Sequence, residues 1–218
     1  QPVHMGEIQN KGLGLNVDIF NDKGKPVKNN KGELVCKNPF PTMPLKFWND
    51  RNDNKFKDAY FNRFSNIWHH GDFAEIKKTR GFVIHGRSDT TLNPGGVRLG
   101  TAEIYSEVEK FKEIKESLVV GQSWDNDVRI VLFVVMNTKF LLSENLLKKI
   151  KIQIRKNASP RHVPSKVIVV KDIPKTKSGK IVELAVKNTL EGNKIKNKEA
   201  LANPKALEQF KNLKELNN

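Results

Sequence analysis

Two clusters in the sequence combine residue types that handle anions, and a third position offers a carboxylate for hydroxyl groups. The first, Ile173-Pro174-Lys175-Thr176-Lys177-Ser178-Gly179-Lys180, is a flexible basic loop leading into an apolar-striped helix. Its end invites a phosphate-loop reading, and the count fails. Where such a loop needs its first Gly this chain has Pro174, and where it needs Ser or Thr after the lysine it has Ile181. Lys180 is then either a phosphate or carboxylate contact or an ordinary solvated lysine near a helix start, where helix polarity slightly disfavours its charge. The second cluster, Gly86-Arg87-Ser88-Asp89-Thr90-Thr91-Leu92-Asn93-Pro94-Gly95-Gly96-Val97-Arg98, sets two arginines in glycine-rich backbone. Guanidinium groups fork onto phosphate or carboxylate oxygens, and glycines admit close approach and positive φ. A turn-rich linker with surface arginines accounts for the same residues equally well. The third is Asp72 after Gly71, a carboxylate at a strand start that either binds vicinal sugar hydroxyls or caps a turn.

Other chemistries are poorly supplied. Cys36, His4, His69, His70, His85 and His162 show no CxxC, HExxH or clustered spacing, so no metal site is expected. His69 and His70 are adjacent and would point to opposite sides of an extended chain. No nucleophile elbow occurs. The charge suits nucleic acid and aromatic residues are present, but no nucleic-acid-binding signature is found.

The elements that must position these clusters follow from periodicity. Leu13, Leu15, Val17 and Ile19 alternate with small or polar residues, Asn21-Asp22-Lys23-Gly24 supplies a turn, and residues 32–36 resume an extended pattern. Pro39, Pro41 and Pro44 force a loop. Phe56, Tyr60, Phe61 and Phe64 fall at helical spacing within 55–64, and 72–76 and 82–85 read as strands turned around Arg80-Gly81. Residues 1–88 are expected to form a small mostly β subdomain. Glycines 86, 95, 96 and 100 mark 86–100 as loop or tight turns rather than a buried element. Beyond them, Thr101 can cap a helix with Ile104, Val108 and Phe111 on one face, and 117–120 and 128–136 read as strands. Leu146, Leu147, Ile150 and Ile154 stripe a second helix, 166–170 is a strand, and Ile181, Val182, Ala185, Val186 and Leu190 mark a third helix. That order predicts an α+β fold in which residues 89–192 form a compact domain, a small sheet covered by helices. Residues 193–218 read as a polar tail with one weak helical patch at Leu207, Phe210 and Leu213.

Composition bounds the partners. The 218 residues, 37% apolar and 29% charged with patterning throughout, exclude a disordered, fibrous or low-complexity chain. Thirty-nine Lys and Arg against 24 Asp and Glu give a net charge of +15, which favours an anionic partner such as a nucleotide, coenzyme, nucleic acid or membrane surface. Much of the excess is lysine in 148–156 and 187–198, where solvated helix faces account for it. The longest apolar run, residues 130–136, is far shorter than the roughly 20 residues of a spanning helix, so no membrane span is expected. A single cysteine and no signal-like start lead us to expect a reducing, cytoplasmic setting. The chain opens on Gln1-Pro2-Val3 rather than Met, which reads as a piece of something longer.

Taken together, four segments resemble the successive C-terminal motifs of the adenylate-forming acyl-CoA synthetases in order and spacing. They are Trp68-His69-His70-Gly71-Asp72, Ile84-His85-Gly86-Arg87-Ser88-Asp89, Asn93-Pro94-Gly95-Gly96-Val97-Arg98-Leu99-Gly100-Thr101-Ala102-Glu103-Ile104 and Pro174-Lys175-Thr176-Lys177-Ser178-Gly179-Lys180. Within that family, Asn38-Pro39-Phe40-Pro41-Thr42-Met43-Pro44, Ala59-Tyr60-Phe61-Asn62-Arg63-Phe64 and Glu199-Ala200-Leu201-Ala202-Asn203-Pro204 are most similar to the acetoacetate-activating subgroup. Acetyl- or propionyl-activating relatives are the alternative, as is, from another class, a non-catalytic basic module for nucleotide or RNA.

The resemblance covers the whole chain and the C-terminal third of such an enzyme: the terminal β subdomain of the large AMP-binding domain, then the complete mobile α+β domain. It implies an acid–thiol ligase that joins acetoacetate and ATP into acetoacetyl-adenylate and pyrophosphate, then passes the acyl group to coenzyme A and releases AMP. Mg²⁺ would be held by the substrate phosphates. The implied partners are ATP, acetoacetate, coenzyme A and an N-terminal domain of the same enzyme, with no specific nucleic acid. Residue by residue, it implies that Asp72 holds the ribose hydroxyls of the adenylate and Arg87 binds near the same ribose or phosphate. Asp89 would be the hinge about which the C-terminal domain turns, and Lys180 the catalytic contact to carboxylate, α-phosphate and departing pyrophosphate. Gly96 and Arg98 would line the coenzyme A approach, and Arg155 would meet a coenzyme A phosphate. Relatives commonly carry two consecutive acidic residues at the hinge, where this chain has Asp89 and Thr90. Hinge function would rest on backbone torsion at Asp89. The Gly/Ser/Thr-rich phosphate loop and the acyl pocket of that family are missing from these residues, so the chain alone is expected not to complete catalysis.

Overall fold

Alternating apolar residues build the first sheet. In a computed structural model that describes residues 1–195 and 198–217, β1 (Val17–Phe20) and β2 (Lys31–Cys36) pair antiparallel with Val17 opposite Cys36. β3 (Trp68–Ile76) and β4 (Phe82–Arg87) extend the sheet in chain order. The Asn21 side chain accepts the Lys23 and Lys25 amides, each at 3.0 Å, and so shapes the first turn. One face packs Ile19, Ala74 and Phe82, and Phe20, Val35 and Phe64 pack as a second cluster.

Three expectations shift here. The first strand begins at Val17, because residues 12–15 make a turn closed by the Leu15 amide on the Gly12 carbonyl at 3.2 Å, leaving Leu13 exposed. β3 begins at Trp68, earlier than its apolar run implies, and passes through Gly71 at φ 84. Helix α1 (Asn54–Tyr60) stops short of Phe64 and buries no residue of its own. Its aromatic rings gather around Trp68 instead, with Tyr60 stacked on the indole at 3.7 Å and Phe56 and Phe61 edge-on.

The second sheet is mixed. β5 (Ile114–Trp124) and β6 (Asp127–Met136) form a hairpin whose two turn residues, Asp125 and Asn126, both take positive φ, 49° and 59°. β7 (Lys166–Val169) pairs parallel to β6, and the crossover that parallel pairing requires is α3 (Glu144–Asn157). α2 (Thr101–Val108) and α3 bury Ile104, Val108, Ile150 and Ile154 against Ile130, Leu132 and Val134. α4 (Glu183–Leu190) and the C-terminal segment bury Val186, Leu207 and Phe210 against Val131 and Phe133. Successive β6 residues thus enter opposite layers, which is why that strand is apolar without interruption. The architecture is α+β: a small β-sheet subdomain followed by a mixed region of sheet and surrounding helices.

The chain divides into two compact units, Gln1–Asp89 and Thr90–Asn218. The glycine-rich stretch after β4 is more than loop: Leu92 and Leu99, 0% and 5% exposed, exchange both backbone hydrogen bonds at 3.0 and 2.8 Å. Its glycines supply the turns while its leucines fill the core. The helix that follows is capped at Gly100, whose amide donates to the Glu103 carboxylate at 3.3 Å, and Thr101 is its buried first residue. The segment read as a polar tail supplies Leu201, Ala206, Leu207, Phe210 and Leu216 to the core. Part of it, Pro204–Phe210, is 3₁₀ helix, whose three-residue turn hides an apolar face from a search at 3.6. No described helix is long and apolar enough to cross a membrane.

Candidate functional site

Strand register brings Asp72 and Arg87 together. They stand directly opposite on β3 and β4, with Arg87 Nη1 3.0 Å from Asp72 Oδ1 and His70 Nδ1 2.6 Å from Asp72 Oδ2. Gly71 lies beneath the guanidinium: a Cβ there would sit 2.5 Å from Arg87 Nη2, at a φ of 84° that side chains resist. Burial pushes the Asp72 carboxyl up, but the hydrogen bond and charge of His70, joined by those of Arg87, outweigh burial and hold it below the usual 3.8. An ionised carboxylate has about four lone-pair sites. Asp72 keeps acceptor capacity for the paired hydroxyls of a sugar.

Asp89, nearly half exposed, follows in a 3₁₀ turn, Ser88–Thr90, with its carboxylate 3.7 Å from Arg87 Nε. Asp72, Arg87 and Asp89 therefore form one ion-pair chain along the end of the sheet. Ser88 anchors that turn by donating to Glu33, a fully buried carboxylate on β2 that also meets Arg63 Nη1 at 3.0 Å and His69 Nε2 at 2.7 Å. Sequence reasoning passed over Glu33. The available signal was its alternation with Val35, which puts a carboxylate on an apolar strand face.

The remaining sequence-derived residues lie in the second unit, on separate elements. Gly95 and Gly96 take φ of 58° and 74° with open space where a Cβ would stand, and the Gly95 amide donates to both Asp127 carboxylate oxygens at 2.9 Å. Gly96 borders a depression of about 650 Å³ with Asn93 and the β5–β6 turn. Arg98 is half-buried two residues on. Next to this loop, a cleft of about 440 Å³ holds Arg161 and Trp124, on which the Arg129 guanidinium stacks at 3.7 Å. Arg155 is exposed in the last turn of α3.

Lys180 sits at the end of a tight hairpin rather than on a flexible loop. Thr176 donates its amide to the Lys180 carbonyl at 2.8 Å, and its Oγ1 accepts the Lys180 amide at 3.1 Å. Gly179 turns the chain at φ 81. Lys175 is spent on Glu116 at 2.7 Å, while Lys180 is exposed. The α4 start beyond it is tied to α2 through Tyr105, whose hydroxyl donates to Glu183 at 2.5 Å and accepts the Val119 amide at 3.0 Å. Burial first, then the Glu183 charge and hydrogen bond, hold the Tyr105 phenol well above its usual 10.0. Among the described residues no group of three or more His, Cys, Asp or Glu is placed to hold a metal ion.

Residues 103–180, from the capping Glu103 through Lys180, match the family of the AMP-binding enzyme C-terminal domain. Over those residues the chain is similar to that C-terminal domain. It is 60% identical over 216 residues to the acetoacetyl-coenzyme A synthetase of Rhizobium meliloti (strain 1021), covering 99% of this chain and 33% of that protein. Against the acetoacetyl-CoA synthetase of Gallus gallus the identity is 47% over 219 residues, 100% of this chain and 33% of the relative. The solved acetoacetyl-CoA synthetase from Streptomyces lividans superposes with a TM-score of 0.90 at 42% identity, over 96% of this chain and 32% of that one. A benzoate CoA ligase from Burkholderia xenovorans LB400, 24% identical with a TM-score of 0.70 over 85% of this chain and 36% of that one, shares the fold. The chain thus spans about a third of the length of the relatives it matches. The first unit and the segment beyond Lys180 lie outside the AMP-binding domain match.

Proposed function

We propose that this chain is the C-terminal part of an AMP-forming acid–thiol ligase that converts acetoacetate, ATP and coenzyme A into acetoacetyl-CoA, AMP and pyrophosphate through an acyl-adenylate. The observation that carries this reading is the 60% identity, over 99% of the chain, to an acetoacetyl-coenzyme A synthetase. The site chemistry supports it. Asp72, ionised and rigidly held, accepts the two ribose hydroxyls of the adenylate, while Arg87 orients Asp72 and adds positive charge beside the same nucleotide. Lys180 presents a point charge on a long stem to the acyl carboxylate and α-phosphate, where charge develops as pyrophosphate departs.

Residues 1–88 serve as the terminal β subdomain of the nucleotide-binding domain and 89–192 as the mobile domain, with Asp89 as the hinge between two orientations. In the second orientation the bare backbone at Gly96 lets the coenzyme A arm pass beside Arg98, and Arg155 meets a coenzyme A phosphate. Mg²⁺, held by the substrate phosphates, would neutralise the triphosphate. Consumption of ATP and coenzyme A suits the cytoplasmic setting expected from a single cysteine.

The test uses the full-length enzyme carrying this sequence, with acetoacetate-dependent ATP–pyrophosphate exchange as the readout for adenylation. Lys180→Ala should lower exchange by about 10²-fold, roughly 3 kcal/mol, and leave transfer from supplied acetoacetyl-adenylate to coenzyme A nearly intact. Equal loss in both half-reactions would refute the role of Lys180, and exchange driven better by acetate or propionate would refute the substrate. The 218-residue chain by itself should give no exchange.

A further inference from the structure

A further stretch of backbone borders the hairpin that carries Lys180. After a 3₁₀ turn at Lys198–Ala200, residues 200–202 run along the hairpin's outer edge: the Lys177 amide donates to the Ala200 carbonyl at 3.0 Å, the Ala202 amide donates to the Lys175 carbonyl at 2.8 Å, and Thr176 pairs antiparallel with Leu201. On the other edge Lys175 pairs antiparallel with Ile181. Residues 175–177 therefore lie between two bridged stretches of backbone, with Lys180 and Ile181 on one side and 200–202 on the other. An isolated two-stranded hairpin is marginal in water, and further pairing over a core is what makes such a unit hold. Leu201 provides that core contact, 6% exposed in the same cluster as Ile173, Leu207 and Phe210.

Asn203 anchors the end of this stretch. Its Oδ1 accepts the Lys175 amide at 2.8 Å, and its Nδ2 donates to the Ile173 carbonyl at 2.9 Å and to Asp172 Oδ2 at 2.7 Å. Both of its donors are used and its acceptor is engaged, so one side chain completes the edge that the main chain leaves open. The ammonium of a lysine hangs on four flexible carbons, and the protein can fix only the backbone from which it starts. At Lys180 that backbone is bonded to Thr176 through both its amide and its carbonyl, and Thr176 is bridged to Leu201 with hydrogen bonds on either side.

We infer that residues 198–203 are a strap that places Lys180, with Asn203 as its positioning residue, so that adenylate formation depends on a segment outside the AMP-binding domain match. The inference rests on the proposed role of Lys180 in adenylation. Displacement of a reacting group by about 1 Å costs about 10²-fold in rate, so loosening the hairpin should cost part of that.

Two measurements test it. In the 218-residue chain, Asn203→Ala should speed amide hydrogen exchange at Lys175, Lys177 and Lys180 by about tenfold or more and leave β5 and β6 amides unchanged. In the full-length enzyme the same substitution should lower acetoacetate-dependent pyrophosphate exchange by about tenfold or more, with transfer from supplied adenylate within about threefold. Asn203→Asp sets two carboxylates together and should be at least as harmful. Adding Asp172→Asn restores that hydrogen bond with reversed polarity and should recover much of the adenylation. Where Lys180→Ala lowers adenylation as expected, unchanged adenylation in Asn203→Ala overturns the strap, whether or not the hairpin loosens. So does equal loss in both half-reactions with faster exchange throughout β5 and β6, which marks general destabilisation. Lys180→Ala measured alongside separates the two ideas: if it leaves adenylation unchanged, the functional reading fails, and hydrogen exchange alone decides whether the strap holds the hairpin.

Discussion

Asp72 shows how much of a functional side chain's behaviour is set by its immediate partners. It shares its two oxygens between His70 and Arg87, at 2.6 and 3.0 Å, and is about one-fifth exposed. Burial favours the neutral acid, yet the His70 and Arg87 contacts win and the folded-state pKa lies below 3.8. A carboxyl depressed on folding contributes stability that is fully present above its unfolded value and lost as pH falls through the folded one. The first unit should therefore weaken below about pH 4. Asp72→Asn should shrink this loss, measured as the difference between urea midpoints at pH 6 and pH 3. A difference as large in the variant as in the parent would show that the acid sensitivity comes from other carboxylates. None of this was legible in the sequence beyond the residue types. Asp72 and Arg87 are 15 positions apart, and only antiparallel register sets them face to face. Gly71 stood in the sequence only as the residue before Asp72, while in the fold it clears space under a guanidinium.

Elements with strong periodicity were legible because packing rewards one period at a time. The α3 stripe of Leu146, Ile150 and Ile154 and the unbroken apolar run of β6 each have one reading, and both are buried where that reading puts them. α1 was legible as a helix but not in its extent, because its aromatic residues and the ones just after it pack around an indole on the neighbouring strand rather than into a groove of helical period. Ties between elements were also hidden. Tyr105 on α2 and Glu183 on α4 are 78 residues apart, and either alone reads as an ordinary polar helix residue. Tyr105→Phe should cost about 1 to 3 kcal/mol, because it leaves the Val119 amide and the Glu183 carboxylate short of a partner. The sign of its pH dependence is opposite to that of Asp72. A phenol raised on folding supports the fold fully below its unfolded value, and that support is lost as pH climbs above about 10 toward the higher folded value. In a Tyr60→Phe background, absorbance at alkaline pH reports Tyr105 alone. Ionisation near 10 in the folded chain would contradict a buried, Glu183-facing phenol.

At the scale of the whole molecule, the C-terminal segment decides whether the second unit has a complete core. Its composition hid this, since lysine, asparagine and glutamate dominate residues 193–218 and its apolar residues show no period beyond one weak helical patch. Yet Leu201, Leu207, Phe210 and Leu216 are each at most 6% exposed, and the Phe210 ring meets the Phe133 ring edge-on at 4.9 Å. Arg129 reaches from β6 to donate to the Leu216 carbonyl, closing the segment onto the sheet. Full burial of a large apolar side chain stabilises by roughly 1.5 to 3 kcal/mol. Four such residues together are comparable to the entire stability of an ordinary domain, about 5 to 15 kcal/mol. Deleting residues 198–218 should therefore collapse amide chemical-shift dispersion across residues 90–195. The first unit draws its core from Ile19, Ala74 and Phe82 and should keep its dispersion over 17–87. The deletion also bares one face of the sheet under Phe133, so the product should bind a hydrophobic dye that the parent chain excludes. If the shortened chain keeps a dispersed spectrum over 90–195 and melts within about 5 °C of the parent, the segment adds too little to be core, because a loss of about 1 kcal/mol already moves a domain of this size by several degrees.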